Sequence, residues 1–363
     1  MKKQVLQWFL AVLLAAALMN GLCFVYYRPC GRLFRDMGTT ESVWNPGSYI
    51  VSGTEGYAFY TADDRGYLNE NLPLADSYVI VRGASFTQGK EVPYGYRYSD
   101  ICNKALSKEE GRIKVYNVAQ EGEYLPKLIK GFKALTAEFP GADTIVLEIN
   151  ATEFSAEEIN SAINQREFDN SCTGKNLYVN SSSKEKMKIH IKEALPLISL
   201  LKYQYNLYKE KNASEDIAYA KSAIDKDVKT DSANKSGSSE KKVLDASGNT
   251  NSPYEQAINT ALSLLRSEYN GNIIFLYHPN VSITEDGLMV PIKESTTSIF
   301  KEYCIRNNII FLDTTTEFIN AYNQNFSIPY GYNNTTPCTG HLSKEGHKII
   351  AKVLLEKLQK LGK

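Results

Sequence analysis

A serine and a histidine lie in segments where both side chains could take part in catalysis. Ser85 stands in the turn GAS, directly after the apolar run YVIVR, and His341 stands in GHLS, before the last helix-like segment. A turn that leaves a strand can expose a nucleophilic hydroxyl, and an imidazole near its ordinary pKa can accept its proton. Each segment has a second interpretation, in which Ser85 caps a helix and the histidine packs against one.

Several other polar residues follow apolar runs and are candidates for the same site. The backbone N–H of Gly122, in NVAQEG, and the amide of Asn150, in EINAT, could both donate to a developing oxyanion. His278, in YHPN, either lines the substrate pocket or is a buried structural histidine. Asp313, in FLDTTTEF, could support His341 or could cap a helix, and His347 is expected to be structural.

The runs that must position these residues alternate between strand-like and helix-like patterns. Short β-branched and aromatic runs predict five strands, at Tyr78–Arg82, Ile113–Val118, Thr144–Ile149, Asn272–Tyr277 and Asn308–Leu312. Apolar residues at a spacing of three to four predict helices at Tyr124–Phe139, Glu185–Leu207, Tyr254–Tyr269, Lys293–Asn307 and Ser343–Leu361. This alternation is typical of an α/β protein, here a three-layer α/β/α sandwich with a five-stranded parallel sheet. In such sheets ligands bind beyond the carboxyl ends of the strands.

The N-terminal region differs in composition from the rest of the chain. Residues 4–27 carry no charged side chain, so we predict a signal anchor over 1–27, with a signal peptide cleaved near Ala15–Ala17 as the alternative. The body would then be extracytoplasmic on the cell membrane, or secreted if the signal is cleaved. Residues 28–75 are interpreted as a stalk and lead-in. The domain is placed at 76–363, with a mobile polar insertion at about 212–252.

Charge and cysteine spacing exclude several classes of function. Lys+Arg and Asp+Glu are both 41, so no net field attracts the chain to nucleic acid. No Cys or His spacing matches a metal site, and neither a metal nor a cofactor is predicted. Cys172 and Cys338 each begin a Cys-Thr-Gly triplet and are a candidate disulfide in an exported body.

In order, these segments resemble the SGNH/GDSL hydrolase family. GASFTQG is similar to the GDSxxxG block with Ala84 in place of Asp, NVAQEG and EINAT resemble the second and third blocks, and CTGH resembles D-x-x-H. The resemblance implies a flavodoxin-like fold, with Ser85 as nucleophile and His341 as base. It also implies an oxyanion hole made by the Ser85 N–H, Gly122 and Asn150.

One departure from the family pattern affects the mechanism. Cys338 occupies the position of the family acid, which predicts a Ser–His dyad unless Asp313 or a backbone carbonyl orients His341. The expected function is an extracytoplasmic serine esterase or O-acetyltransferase. Its expected substrates are acyl, above all acetyl, esters of cell-wall or exported polysaccharide, and its expected partners are the membrane and other cell-envelope polysaccharide enzymes. The alternative is a weakly active or inactive SGNH fold that binds glycan or acts as a scaffold.

Overall fold

The structure is a computed structural model of the 363-residue chain. The described residues are 2–28, 32–36, 40–44, 46–53, 55–107, 111–166, 175–176, 182–206, 208–209, 252–335 and 338–362. The helices are α1 Lys2–Tyr26, α2 Ser85–Gln88, α3 Tyr98–Leu106, α4 Leu125–Glu138, α5 Ala156–Asn164, α6 Ser183–Ala194, α7 196–206, α8 Pro253–Glu268, α9 Thr297–Arg306, α10 Thr315–Asn325 and α11 Lys344–Lys360. The strands are β1 Arg32–Asp36, β2 Thr40–Trp44, β3 Tyr49–Ser52, β4 Ala58–Thr61, β5 Leu74–Arg82, β6 Ile113–Asn117, β7 Ala142–Ile149, β8 Lys175–Asn176, β9 Asn272–Tyr277, β10 Val281–Ile283, β11 Met289–Pro291 and β12 Ile310–Asp313.

The central sheet has five strands in the order β6-β5-β7-β9-β12, and every neighbouring pair is parallel. Numbered along the chain, this is the order 2-1-3-4-5 of flavodoxin-like folds. The predicted fold class is confirmed.

The side chains of each strand point alternately to the two faces of the sheet, so the apolar core has two layers. Ile80 and Phe275 belong to the layer beneath α4, α5, α8 and α9. Their neighbours Val81 and Ile274 belong to the opposite layer, beneath α3 and α11. Successive side chains of a strand point to opposite faces, and a parallel sheet is covered on both, so these strands are apolar at almost every position. This double burial is why they appear in the sequence as continuous apolar runs.

Each predicted strand coincides with a strand of the sheet, and Asn272–Tyr277 has the predicted bounds. The largest shift is in β5, which begins at Leu74 and not at Tyr78. Strand β12 begins at Ile310 and not at Asn308, which has a positive φ of 53°. The single helix predicted over Glu185–Leu207 is wrong, because the chain forms α6 and α7 with a break at Leu195. Pro196 explains the break, since a proline disfavours helical backbone in the residue before it.

The segment predicted as a stalk and lead-in contains the paired strands β1–β2 and β3–β4. Val43 and Tyr67 belong to the main core, and Trp44, Ile50 and Tyr60 form part of a separate apolar cluster. The described part of 28–75 therefore packs against the sheet domain. The predicted insertion at 212–252 lies outside the described residues, except for its last residue, Ser252, which caps α8.

Candidate functional site

Ser85 is the first residue of α2, a single helical turn that follows β5 at the carboxyl edge of the sheet. Its side chain is half-buried. The turn ends at Gly89, which has a φ of 58° and whose N–H donates to the Ser85 carbonyl at 2.9 Å. A Cβ at Gly89 would lie 2.9 Å from the Arg97 side chain and 3.1 Å from His347, so both conformation and space require glycine there. The strand-to-turn placement predicted for Ser85 is present.

Beneath this turn lies Glu148, a buried carboxylate that the sequence analysis did not single out. Its Oε2 accepts from the Ala84 N–H at 3.0 Å and from the Thr87 hydroxyl at 2.9 Å. A Cβ at Gly83 would lie 2.4 Å from the same oxygen, so glycine is needed for the carboxylate to approach. Where the family block has Asp, this chain has Ala84, and a carboxylate from the neighbouring strand contacts the turn.

The other oxygen of Glu148 contacts His278, which is fully buried and therefore does not line a pocket. His278 Nε2 lies 2.9 Å from Glu148 Oε1, and Nδ1 lies 2.8 Å from the Tyr330 hydroxyl. The Tyr330 hydroxyl also donates to the Pro279 carbonyl at 2.5 Å, so His278 bridges Glu148 and Tyr330 in one buried hydrogen-bond network.

His341 is paired with Glu55, a residue of the loop between β3 and β4. His341 Nδ1 lies 2.5 Å from Glu55 Oε2, and the His341 backbone N–H donates to Glu55 Oε1 at 2.7 Å. Burial raises the pKa of Glu55, but the hydrogen bonds from His341 outweigh it and the pKa is lowered. Burial lowers the pKa of His341, but Glu55 and Glu91 outweigh it and the pKa is raised.

The prediction that His341 lacks a carboxylate partner is wrong, because Glu55 supplies one. Asp313 does not fill that role: it is exposed, and its carboxylate accepts from the Thr315 N–H at 2.9 Å, the capping alternative.

Cys338 contacts Tyr322 and has a positive φ of 64°, and burial raises the pKa of its thiol. It forms no disulfide with another described cysteine. Its predicted partner, Cys172, lies outside the described residues.

Phe86 connects the two halves of the site. Its ring centroid lies 5.6 Å from that of His341 and 4.8 Å from that of His278. Since Phe86 directly follows Ser85, the His341 imidazole lies beside the turn that carries the serine. Glu55 holds Nδ1, which leaves Nε2 as the nitrogen that can accept the Ser85 proton.

Gly122 and Asn150 follow the two strands that flank β5. Gly122 is exposed in a turn after β6, has a φ of 73°, and its carbonyl accepts from Lys127 Nζ at 2.7 Å. Asn150 directly follows β7, and its amide donates to Asn280 Oδ1 at 3.1 Å while Asn280 donates to the Asn150 carbonyl at 3.0 Å. The sheet order thus brings both predicted donors to the strand edge on either side of Ser85, and their roles remain predictions.

A cavity of about 1130 Å³ is lined in part by Gly56, the residue that follows Glu55. Its lining includes Tyr57, Glu91 and Tyr332, and the exposed ring of Phe326 stands at it. Glu91 is buried, its Oε2 has no hydrogen-bond partner among the described residues, and burial raises its pKa. This second carboxyl adds negative potential near His341.

His347 is structural, as expected. It is fully buried, its Nδ1 accepts from the Tyr98 N–H at 3.3 Å, and burial, followed by the charge of Arg97, lowers its pKa to about 3. Among the described residues, no group of three or more His, Cys, Asp or Glu side chains could hold a metal ion.

No protein-family model and no curated protein matches the sequence. Several solved structures resemble it. One is a member of the lipolytic G-D-S-L family from Veillonella parvula, with 13% identity, 77% of this chain and 97% of that chain covered, and a TM-score of 0.35. Another is an acetyl xylan esterase from Geobacillus stearothermophilus, with 13% identity, coverages of 78% and 95%, and a TM-score of 0.35. A third is an esterase from Pseudoalteromonas sp., with 8% identity, coverages of 79% and 98%, and a TM-score of 0.36. The first belongs to the family that the sequence motifs resemble; the roles proposed below rest on the geometry of this chain.

Sequence reasoning missed Glu55 and the structural role of Glu148. Glu55 is separated from His341 by 286 positions, and no spacing rule connects a loop glutamate with a histidine at that distance. Glu148 directly follows three buried apolar residues of β7, Ile145–Leu147, and precedes Ile149, which is also buried. A charged residue within a buried strand was the available signal, because such a residue is rarely buried without a partner.

Proposed function

We propose that this chain is a serine esterase of the SGNH/GDSL type whose catalytic residues are Ser85, His341 and Glu55. The observation that carries the proposal is the hydrogen bond between Glu55 and His341 Nδ1, beside the turn that presents Ser85. A carboxylate in this position fixes the imidazole tautomer and stabilises the imidazolium that forms during the reaction.

In the proposed reaction the Ser85 oxygen bonds to the acyl carbon while its proton moves to His341 Nε2. The tetrahedral intermediate then loses the alcohol, which takes the proton from Nε2. Water or a sugar hydroxyl attacks the acyl-enzyme by the same steps in reverse. The oxyanion is stabilised by the backbone N–H groups of Ser85 and Gly122 and by the second amide N–H of Asn150.

The location and the substrate are part of this proposal. Helix α1 is long and apolar enough to cross a membrane, and we assign it as the signal anchor of an extracytoplasmic enzyme. The resemblance to the family, together with that location, supports acetyl esters of cell-wall or exported polysaccharide as substrates. Transfer to a sugar hydroxyl and hydrolysis by water share the acyl-enzyme and differ only in the acceptor.

Labelling with a fluorophosphonate tests the assignment. The full chain is expected to be labelled at Ser85, as located by peptide mapping, and to hydrolyse a small acetyl ester. Glu55→Gln is expected to label more slowly at the same residue. Glycan binding without labelling would instead support the inactive SGNH-fold alternative.

A further inference from the structure

Helices α6 and α7 each carry exposed apolar residues at helical spacing, and these residues are together called the stripe. They are 40% to 65% exposed: Met187 and Ile191 on α6, Leu195 at the break, Ile198, Leu201 and Tyr205 on α7, and Tyr208 beyond its end. Residues at this spacing share one face of a helix. An apolar face of this length on a water-soluble domain requires a covering surface.

The stripe is joined to the apolar helix α1. The Asn20 side chain donates to the Ala194 carbonyl at 3.1 Å and accepts from the Leu197 N–H at 3.2 Å. One amide of α1 thus satisfies the last turn of α6 and the first turn of α7, at the point where Pro196 breaks the helix. Further along, the rings of Tyr27 and Tyr203 stack with centroids 6.2 Å apart.

The position of Asn20 along α1 gives the depth of this contact. Asn20 lies 18 positions after Lys2, which at about 1.5 Å per residue is about 27 Å along the helix. The hydrocarbon core of a bilayer is about 30 Å thick. If α1 spans the bilayer from Lys2, then Asn20 and the break between α6 and α7 lie at the interface on the side of the catalytic domain.

The charges of the same segment fit an anionic lipid surface. Residues 183–209 contain six lysines and two glutamates, a formal charge of +4, in a chain whose total charge is zero. Lys188, Lys192 and Lys202 are exposed beside the stripe. Lysine stems can lie along apolar surface while the ammonium groups reach lipid headgroups. Amphipathic helices that lie in a membrane interface combine these two features.

We propose that residues 183–209 form a second membrane contact, in which α6 and α7 lie in the outer interface with the stripe facing the acyl chains and the lysines on anionic phospholipid headgroups. The inference rests on the proposed anchoring by α1. A second contact would restrict rotation of the catalytic domain about its anchor and would keep its strand edge at a fixed height above the bilayer.

Quenching by brominated acyl chains tests the contact in the full chain. In a Trp8→Phe background, where Trp44 is the one remaining tryptophan and its signal is subtracted as the reference, Tyr205→Trp places a fluorophore on the stripe. Asn206→Trp places the matched control at an exposed position of α7 that is not three or four residues from any member of the stripe. The proteins are reconstituted in phosphatidylcholine vesicles with and without phosphatidylglycerol. Tyr205→Trp is expected to be quenched about two-fold more than Asn206→Trp, and more strongly with phosphatidylglycerol.

The difference between the unsubstituted chain and Trp8→Phe gives the signal of Trp8, which lies within α1, and so separates this proposal from that of the anchor. Quenching of Trp8 with equal, weak quenching at positions 205 and 206 would overturn the interfacial contact and leave the anchor standing. Quenching at position 205 without quenching of Trp8 would support the contact and overturn the anchor, and loss of both signals would overturn both. Equal quenching with and without phosphatidylglycerol would overturn the role of the lysines.

Discussion

The His341 imidazole has Nδ1 paired with Glu55, and in the proposed reaction Nε2 is the nitrogen that accepts the Ser85 proton. The Glu55 carboxylate contacts both Nδ1 and the backbone N–H of His341, so it fixes the ring and the loop together. Gly340 makes this double contact possible, because a Cβ there would lie 2.2 Å from Glu55 Oε1. The carboxylate is only 16% exposed, which protects the pair from competition by water.

Ser85→Ala is expected to reduce hydrolysis of a small acetyl ester to background, because the hydroxyl that bonds to the acyl carbon is gone. The free energy of unfolding should change by less than about 0.5 kcal/mol, since a half-buried turn residue contributes little burial. Steady-state assays and thermal melts measure the two quantities, with the exposed Ser263→Ala as the control. Activity retained by the purified Ser85→Ala protein would exclude Ser85 as nucleophile.

Glu55→Gln is expected to lower kcat by roughly 10²–10⁴-fold, because the imidazolium loses its carboxylate. Glu55 also raises the pKa of His341. Since the base must be unprotonated, the acidic limb of the pH–rate profile should lie above the usual histidine range and should move to lower pH in the variant. An unmoved acidic limb would show that Glu55 does not act through His341.

The same pair makes stability depend on pH in a defined window. The lowered pKa of Glu55 gives stability above its ordinary value of about 4.5, which is lost as pH falls through the folded-state value. The raised pKa of His341 gives stability below about 6.5, which is lost as pH rises through the folded-state value. The difference in unfolding free energy between the unsubstituted chain and Glu55→Gln should therefore be largest between these values. Urea titrations across pH measure it, and a difference that grows steadily above pH 6.5 would contradict the pairing.

At the scale of elements, each of the two loops that carry the proposed catalytic side chains is held in place by a carboxylate from another element. The β5–α2 turn lies on Glu148, which is itself held by His278 and, through it, by Tyr330. The loop before α11 is held by Glu55. In both cases a glycine, Gly83 or Gly340, leaves the space that a carboxylate oxygen occupies. The position of each loop thus depends on a glycine in the loop and on a glutamate from another element, Glu148 for Gly83 and Glu55 for Gly340.

Gly340→Ala is expected to displace the Glu55 carboxylate and to lower kcat nearly as much as Glu55→Gln. The matched control is Gly287→Ala, because Gly287 has a similar φ of 77° against 80° at Gly340, but nothing lies within 4 Å of its added Cβ. Both variants carry the same backbone strain, and only the first blocks the carboxylate. If the two reduce kcat equally, strain alone explains the loss.

Glu148→Ala is expected to destabilise the chain by about 3 kcal/mol, because it leaves buried partners of the carboxylate without an acceptor. It should also lower kcat with little change in KM, since the turn that presents Ser85 loses its support. Thr87→Val, which removes only one of the donors, is the milder comparison. Urea titration and steady-state kinetics separate the two effects, and lost stability with unchanged kcat would limit Glu148 to a structural role.

The sequence predicted the five strands of the sheet and placed Ser85 and His341 next to elements that meet at one edge of it. Buried parallel strands are apolar on both faces, so β5, β7 and β9 stand out as runs, and a serine after one and a histidine before α11 could be placed at one edge. Glu55 could not be found this way, because its pairing with His341 exists only once β3–β4 has packed on the sheet domain. The break at Pro196 was visible in the sequence, but the amphipathic spacing continues across it and predicted one helix.

At the scale of the whole molecule, the described part of residues 28–75 packs on the sheet domain. Val43 and Tyr67 are buried in the main core, and Tyr60 donates to the Val92 carbonyl. The Arg97 guanidinium lies over the Tyr60 ring with its carbon 4.8 Å from the centroid, and Arg97 also pairs with Asp100 at the start of α3. The segment therefore contributes the acid of the site and covers part of the sheet domain.

Truncation distinguishes a packed segment from a stalk. A chain that begins at residue 28 retains this segment and is expected to unfold cooperatively and to hydrolyse a small acetyl ester. A chain that begins at residue 76 lacks Glu55, Val43 and Tyr67, and should lose both cooperative unfolding and activity, because apolar core surface is exposed to water and His341 has no acid. Circular dichroism melts and ester assays on both chains measure this. If the shorter chain folds cooperatively and matches Glu55→Gln in kcat, the segment supplies only the acid; if it matches the longer chain in kcat, Glu55 has no part in catalysis.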